Sequence, residues 1–385
     1  MKKYLFLYEK IKEEINHGLY KKGSKLPSKR IMADNMGTSV ITVEHAYELL
    51  MEEGYIESRE KSGYFVVYES GDLFFGGNSE SANIQSERSF ASYIKDNEEK
   101  QKYSGIKEEK MTAADMDYAD SDGISDSGNY ISYDIYAKTV RRVLSFYPEE
   151  VFSKSPSFGT DRLRTAIRDY LYRSRNIIVT KEQIIIGAGA EYLYSVIART
   201  LGKNLIYGIE TPGYTRIKEV YENEGAKVEM LTLGKDGIKS SELAKSNANI
   251  LHITPYRSFP TGVSASAGKK NEYLKWAGKR GGIIIEDDFE SEFTPSRKTV
   301  DTIYSMDKNG LVIYVNTFTK TVSPSIRMAY MLLPLNLLDK FEEKASCYSC
   351  PVPTLEQLAV SELLDSGEFE RHINRVRRNL RKKAD

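Results

Sequence analysis

From about residue 133 onward, short β-branched runs alternate with amphipathic helical stretches. No other feature of the chain restricts its fold so strongly. Gln183-Ile-Ile-Ile186, Asn204 to Gly208, Lys227 to Leu233, Ile250 to Thr254, Gly282 to Glu286 and Leu311 to Asn316 read as strands. Tyr136 to Phe146, Arg162 to Arg173, about Tyr192 to Leu201, and Tyr214 to Gly225 carry helical spacing. Short, nearly continuous apolar runs are typical of strands buried on both faces. Strands separated by helices predict an α/β domain, with a mostly parallel sheet between two helical layers. Ligands on such sheets sit at the carboxyl ends of the strands.

The residues at those ends therefore matter most. Gln183 to Ile186 leads into Gly187-Ala-Gly-Ala-Glu191. Small residues there let backbone N–H groups approach a phosphate at a helix N-terminus, although ordinary packing also uses such glycines. Glu210-Thr-Pro-Gly213-Tyr214 places an aromatic on a tight turn, either to stack on a flat ring or to cover the turn. Glu286-Asp287-Asp288-Phe289 puts carboxylates at a buried strand end. Such groups need a partner, which a protonated ring nitrogen, a lysine or a helix cap would supply. Leu311 to Asn316 runs into Thr317-Phe-Thr-Lys320, with Arg327 beyond. A lysine at the mouth of a buried strand is costly to desolvate, and Schiff-base chemistry is one reason to keep it there.

The amino-terminal stretch has another character. Leu5, Tyr8, Ile11 and Ile15 form one helical stripe. Pro27-Ser28-Lys29-Arg30 opens a second helix with Ser28 as N-cap. After the turn Met36-Gly37-Thr38-Ser39, Thr42 to Glu53 forms a third, stopped by Gly54. Tyr55 to Arg59 and Tyr64 to Tyr68 frame a hairpin at Glu60-Lys61-Ser62-Gly63. Three helices and a β-wing predict a winged helix-turn-helix over 1–69. Thr38, Ser39, Thr42 and His45 then face the major groove. Lys21, Lys22, Lys25, Lys29 and Arg30 meet phosphates, while Arg59, Lys61 and Gly63 belong to the wing.

Between the two regions, residues 70–129 contain 13 acidic against 6 basic residues. Residues 70–112 read as an acidic linker, and 113–385 as the second domain. The whole chain of 385 residues balances 55 Lys and Arg against 55 Asp and Glu, which excludes a wholly basic nucleic-acid coat. Its two cysteines, Cys347 and Cys350, offer neither a disulfide framework nor a zinc site, and no metal is expected. Without a signal-like or membrane-length apolar run, a cytoplasmic protein is expected.

Taken in order, phosphate turn, aromatic, Asp, Lys and Arg resemble the pyridoxal-phosphate enzymes of the aspartate-aminotransferase fold (fold type I). With the head included, the chain resembles the MocR family of GntR-type regulators. Leu26-Pro-Ser-Lys-Arg30, Thr42-Val-Glu-His-Ala-Tyr47 and Glu53-Gly-Tyr-Ile56 carry the likeness in the head. Ile285 to Phe293 and Thr317 to Arg327 carry it in the second domain.

The resemblance implies pyridoxal 5'-phosphate as cofactor, held by Lys320 as an internal aldimine. It implies Asp287 on the pyridine nitrogen, Tyr214 stacked on the ring, and Ala190, Glu191, Thr317 and Arg327 around the phosphate. Arg216 would meet an effector carboxylate. The implied protein is a homodimeric regulator that binds a double-stranded DNA operator and responds to a small amine or amino acid. An aminotransferase with a DNA-binding appendage, or a product in which only the head functions, are the rival readings.

Several positions depart from the family pattern. Phe289 replaces a Tyr that would serve the ring hydroxyl. Arg257 and Ser258 replace His and Gln, and Val40 replaces an Arg in the head. The family's C-terminal subdomain, with its substrate-binding Arg, is expected to be missing after Asp385, so transamination is expected to be weak at most.

Overall fold

The structure is a computed structural model that describes residues 3–16, 19–59, 62–68, 130–294 and 300–384. The expected linker, Lys61 and the start of the expected second domain lie outside these residues.

In the head, α1 (Lys3–Asn16), α2 (Lys29–Asn35) and α3 (Val40–Glu52) precede β1 (Ile56–Arg59) and β2 (Gly63–Val66). Ser28 Oγ accepts from the Ile31 N–H at 3.4 Å and caps α2. Ser39 Oγ accepts from the Thr42 N–H at 3.2 Å and caps α3. Such caps each stabilise by about 1 kcal/mol. Leu7, Tyr8, Ile11 and Ile15 of α1 pack on Val43, Ala46, Tyr47 and Leu50 of α3. Gly54, with φ of 73°, turns the chain out of α3 where a Cβ would be strained. The wing is antiparallel, with Ile56 opposite Val66 and Arg59 opposite Gly63. The winged helix-turn-helix expected from the sequence is present.

The larger domain begins with α4 (Tyr133–Phe146), α5 (Pro148–Phe152) and α6 (Asp161–Arg175). Next come β3 (Ile184–Gly187), α7 (Ala190–Leu201), β4 (Ile206–Thr211) and α8 (Thr215–Asn223). They lead to β5 (Lys227–Gly234), β6 (Gly237–Ile238), α9 (Ser240–Lys245), β7 (Ile250–Ile253), α10 (Ala267–Arg280) and β8 (Ile283–Asp288). The chain continues through α11 (Ile303–Met306), β9 (Val312–Thr317), β10 (Ala329–Leu332), α12 (Leu338–Ala345), α13 (Thr354–Asp365) and α14 (Glu368–Ala384).

The strands form one sheet in the order β3-β10-β9-β8-β7-β4-β5-β6. β9, β8, β7, β4 and β5 run parallel, whereas β10 is antiparallel to both β3 and β9. Alternation along the strands fills both faces. Ile184 and Ile186 join α6 and α13 through Leu163, Ile167, Val360 and Leu363. Ile185 between them joins α7 through Leu193 and Ile197. These are the helical layers expected on either side of the sheet.

Several details differ from the sequence reading, which gave no helix for α5 or for α9 to α13 and began α3 at Thr42 rather than Val40. β10 and β6 were not expected, because Ala329–Leu332 follows a hydroxyl-rich stretch and Gly237–Ile238 is too short to show a period. α7 begins at Ala190 rather than near Tyr192, because Gly189 (φ 92°) is its N-cap. β8 runs through Asp288, so its carboxylates belong to the strand itself. Among the described residues no helix is long and apolar enough to cross a membrane.

Candidate functional site

Strand register brings together what sequence separates. Gly187 at the end of β3 lies opposite Ala329, and Ala329 lies opposite Thr317 at the end of β9. Asp288 on β8 lies opposite Asn316 on β9. The Gly-rich turn, Arg327, Thr317 and the Asp287–Asp288 pair therefore meet along one edge, the carboxyl end of the parallel strands.

At the β3–α7 end, Gly189 caps α7 without a side-chain acceptor. The first N–H groups of a helix have no acceptor within it, so this end favours an anion. Its φ of 92° suits glycine, and a Cβ there would lie 3.0 Å from Arg327 Nη2. Arg327 Nη2 pairs with Glu191 Oε2 at 3.2 Å. Tyr214 donates its hydroxyl to Glu191 Oε1 at 3.3 Å. Ala190, Glu191, Tyr214 and Arg327 are thus gathered at one point. Thr317 Oγ1 donates to the Met328 carbonyl at 3.2 Å and accepts from the Thr319 N–H at 3.1 Å. That hydroxyl shapes the turn carrying half-buried Lys320.

The other end is deeper. Asp287 is buried. Its Oδ2 accepts from the Tyr194 hydroxyl at 2.5 Å and lies 3.6 Å from His252 Nε2. His252 Nδ1 is 2.7 Å from the Tyr221 hydroxyl. Burial, reinforced by the charge of Asp287, pushes the Tyr194 phenol well above its ordinary value, so Tyr194 stays a neutral donor. Sequence reading missed Tyr194, a core residue of α7 by its spacing, and His252, which sits inside an apolar strand. The one available signal was a histidine within Ile250-Leu-His252-Ile.

Two further buried carboxylates flank the edge. Glu210, at the end of β4, accepts from Ser258 Oγ at 2.7 Å and from the Thr254 N–H at 3.2 Å. Burial pushes its carboxyl up to about 7. Ser258 therefore serves Glu210. Below Asp287, Arg175 from α6 pairs with Asp288 at 3.2 Å and Glu292 at 3.0 Å, all but excluded from solvent. This cluster holds the Glu286–Glu292 segment in place. Half-buried Phe289 follows Asp288 directly, and Arg216 is exposed on the first turn of α8.

On the head, Ser39 and Thr42 hydroxyls lie 2.9 Å apart at the start of α3. Lys25, Ser28, Arg30 and Arg59 are exposed, whereas Thr38 and His45 are half-buried. The His45 ring meets Tyr4 edge-on at 5.7 Å. Lys29 is held by Glu44. Arg59 stacks 4.4 Å above Phe65 on the wing. Gly63, with φ of 104°, lets Lys25 cross the base of the wing. Val40 and Ile41 are exposed beside the caps, apolar surface that sequence reading did not assign.

A DNA-reading head joined to an aminotransferase-type sheet defines a regulator built on an enzyme scaffold. Residues 3–66 match the family model "Bacterial regulatory proteins, gntR family", and 137–385 match "Aminotransferase class I and II". An uncharacterized HTH-type transcriptional regulator of Bacillus subtilis, YdeL, is 33% identical over 380 residues, covering 99% of this chain and 77% of that protein. The probable rhizopine catabolism regulatory protein MocR of Rhizobium meliloti is 29% identical over 381 residues, covering 97% of this chain and 73% of that protein. Among solved structures, Pyrococcus horikoshii kynurenine aminotransferase, crystallised with PMP, superposes with a TM-score of 0.59 at 22% identity. That match covers 64% of this chain and 63% of the aminotransferase, less than two thirds of its length, and speaks for the fold alone. The chain belongs to the MocR-type GntR regulators, whose winged-helix head is joined to an aminotransferase class I and II domain.

Proposed function

We propose that this regulator takes pyridoxal 5'-phosphate at the carboxyl edge of its sheet, with Lys320 as the amine that binds the cofactor's aldehyde. The observation that carries the reading is Asp287, a buried carboxylate placed by register on the same edge as Lys320, Arg327 and the α7 N-terminus. A carboxylate so placed favours a protonated ring nitrogen beside it. The residues present fit the group: Gly189 leaves backbone room for a phosphate that a Cβ would take. When bound, the cofactor supplies an electron-withdrawing ring. Asp287 holds the proton on the ring nitrogen, steadied by Tyr194 and His252. Tyr214 covers the ring. Ala190 and Glu191 by their N–H groups, with Arg327 and Thr317, hold the phosphate. Phe289 offers the ring hydroxyl no hydrogen bond.

The regulatory input is then a small amine or amino acid that reaches Lys320, with Arg216 as its carboxylate anchor. The output is the affinity of the head for a double-stranded operator. Thr38, Ser39, Thr42 and His45 read bases, and Lys25, Ser28, Lys29, Arg30, Arg59 and Gly63 belong to the phosphate-facing surface. Two heads on a homodimer would read paired half-sites of DNA in the cytoplasm.

Absorbance of purified protein with added cofactor tests the reading. A visible, borohydride-reducible band is expected, and it should be lost in Lys320→Ala. A band that survives this substitution places the aldehyde on another lysine and sinks the proposal. Sustained keto-acid production from amino acids at about 1 per second or faster would favour the aminotransferase reading instead.

A further inference from the structure

The groups gathered at the phosphate lip are already engaged by a carboxylate. Glu191 lies in the first turn of the 12-residue helix α7. One of its oxygens meets Arg327 at 3.2 Å and the other accepts from Tyr214 at 3.3 Å. Gly189 lies against the pair, since a Cβ on it would stand 3.4 Å from Glu191 Oε2 as well as 3.0 Å from Arg327. The carboxylate therefore stands where the Gly-rich turn, the arginine and the tyrosine converge. Burial does not lock it there: the side chains of Glu191 and Arg327 are 29% and 55% exposed.

A phosphate dianion brought to this lip has two courses. It takes Arg327 from Glu191, at the cost of that ion pair, or it sits beside the carboxylate against like-charge repulsion. Unphosphorylated pyridoxal brings a hydroxymethyl group to the same place. That group is a hydrogen-bond donor, and a carboxylate is an acceptor that needs no counter-charge removed. The same side chain thus opposes one form of the ligand and accommodates the other.

We propose that Glu191 is a specificity-determining residue: it narrows the pocket's preference for pyridoxal 5'-phosphate over pyridoxal. This rests on the pocket reading above. Lys320 and Asp287 serve the ring and aldehyde, which the two ligands share. Discrimination between them therefore falls to the lip. A purely structural Glu191 would instead act through the helix dipole, and its loss would affect both ligands alike.

The test titrates each ligand separately into the wild-type chain, Glu191→Gln and Glu191→Asp, reading affinity by equilibrium dialysis. Glu191→Gln should tighten binding of the phosphate form about tenfold or more. Pyridoxal affinity should stay within about twofold or weaken, because a neutral amide is the poorer acceptor. Glu191→Asp keeps the charge and should leave the phosphate form no tighter than in the wild type. Unchanged affinity for the phosphate form in Glu191→Gln, or equal shifts for both ligands, overturns the role of Glu191 and leaves the pocket reading standing. Failure of all three proteins to bind either ligand overturns both.

Discussion

The tip of α3 and the carboxyl edge of the sheet are both polar functional surfaces, built by opposite means. At the tip, each polar contact is local and wet. Ser39 caps its own helix, and Lys29 meets Glu44 with their side chains 31% and 41% exposed. At the edge, partners come from distant parts of the chain and are dry. Tyr194 and Asp287 are 93 residues apart in sequence, and the Arg175–Asp288 pair is exposed by only 1% and 4%. A wet surface keeps its charges available for a polyanion, and losing any one of them costs little. A dry edge fixes geometry for chemistry, and each group depends on its partner.

The strongest challenge to this contrast is Arg175→Ala. It would leave Asp288 and Glu292 buried without their cation, and an expected loss of roughly 3–5 kcal/mol follows. Urea unfolding measures it, and a loss below about 1 kcal/mol would make the cluster as expendable as a surface pair.

Glu210 sharpens the contrast through pH. Its folded value is raised by burial to about 7 from 4.5. Between those values the folded state binds more proton than the unfolded one. The stability contribution is therefore fully present below about 4.5 and is lost as pH rises through about 7. Glu210→Gln keeps an acceptor for Ser258 and Thr254 but does not titrate. Thermal unfolding from pH 5 to 8 should show a flatter profile for the variant, with its relative gain at pH 8. A steeper profile would contradict the buried, proton-holding state.

On the wet side, Arg30→Ala should weaken binding to all duplexes alike and lower the salt slope by about one unit. Selective loss on a single operator in a fluorescence titration would mean that Arg30 reads bases. Smallest of all, Lys29→Ala should change stability by less than about 1 kcal/mol, because the ion pair with Glu44 is largely solvated. Its effect on DNA should fall below that of Arg30→Ala, since Glu44 already engages the ammonium. Denaturant midpoints and parallel DNA titrations check both statements.

Much of this contrast could be read from the chain itself. Ser28, Ser39, Gly54 and the wing turn act on neighbours within a few residues, so local chemistry revealed the head almost element by element. In the larger domain, periodicity revealed the strands, and the abrupt change from apolar to polar at Asp287 and Lys320 marked the edge. β10 escaped notice, since nothing local says that Ala329–Leu332 pairs antiparallel between β3 and β9. The partners of Asp287 escaped for a similar reason. Tyr194 carries the spacing of a core aromatic, and His252 is one polar residue among isoleucines and leucine.

The sequence by itself determined most of the strands of the larger domain, the elements of the head, and the residue types that stand at their ends. Period, capping and burial preference act over a few residues, so they are written locally. Only the tertiary structure decided who meets whom. Register between β3, β10 and β9 carried Gly187, Ala329 and Thr317 to one place. Packing of α7 on the sheet turned Tyr194 onto Asp287. The same packing set the Glu191 carboxylate on Arg327, 136 residues away. Such pairings arise because the sheet closes loops of very different length at once, and no local pattern encodes which strand will lie beside which.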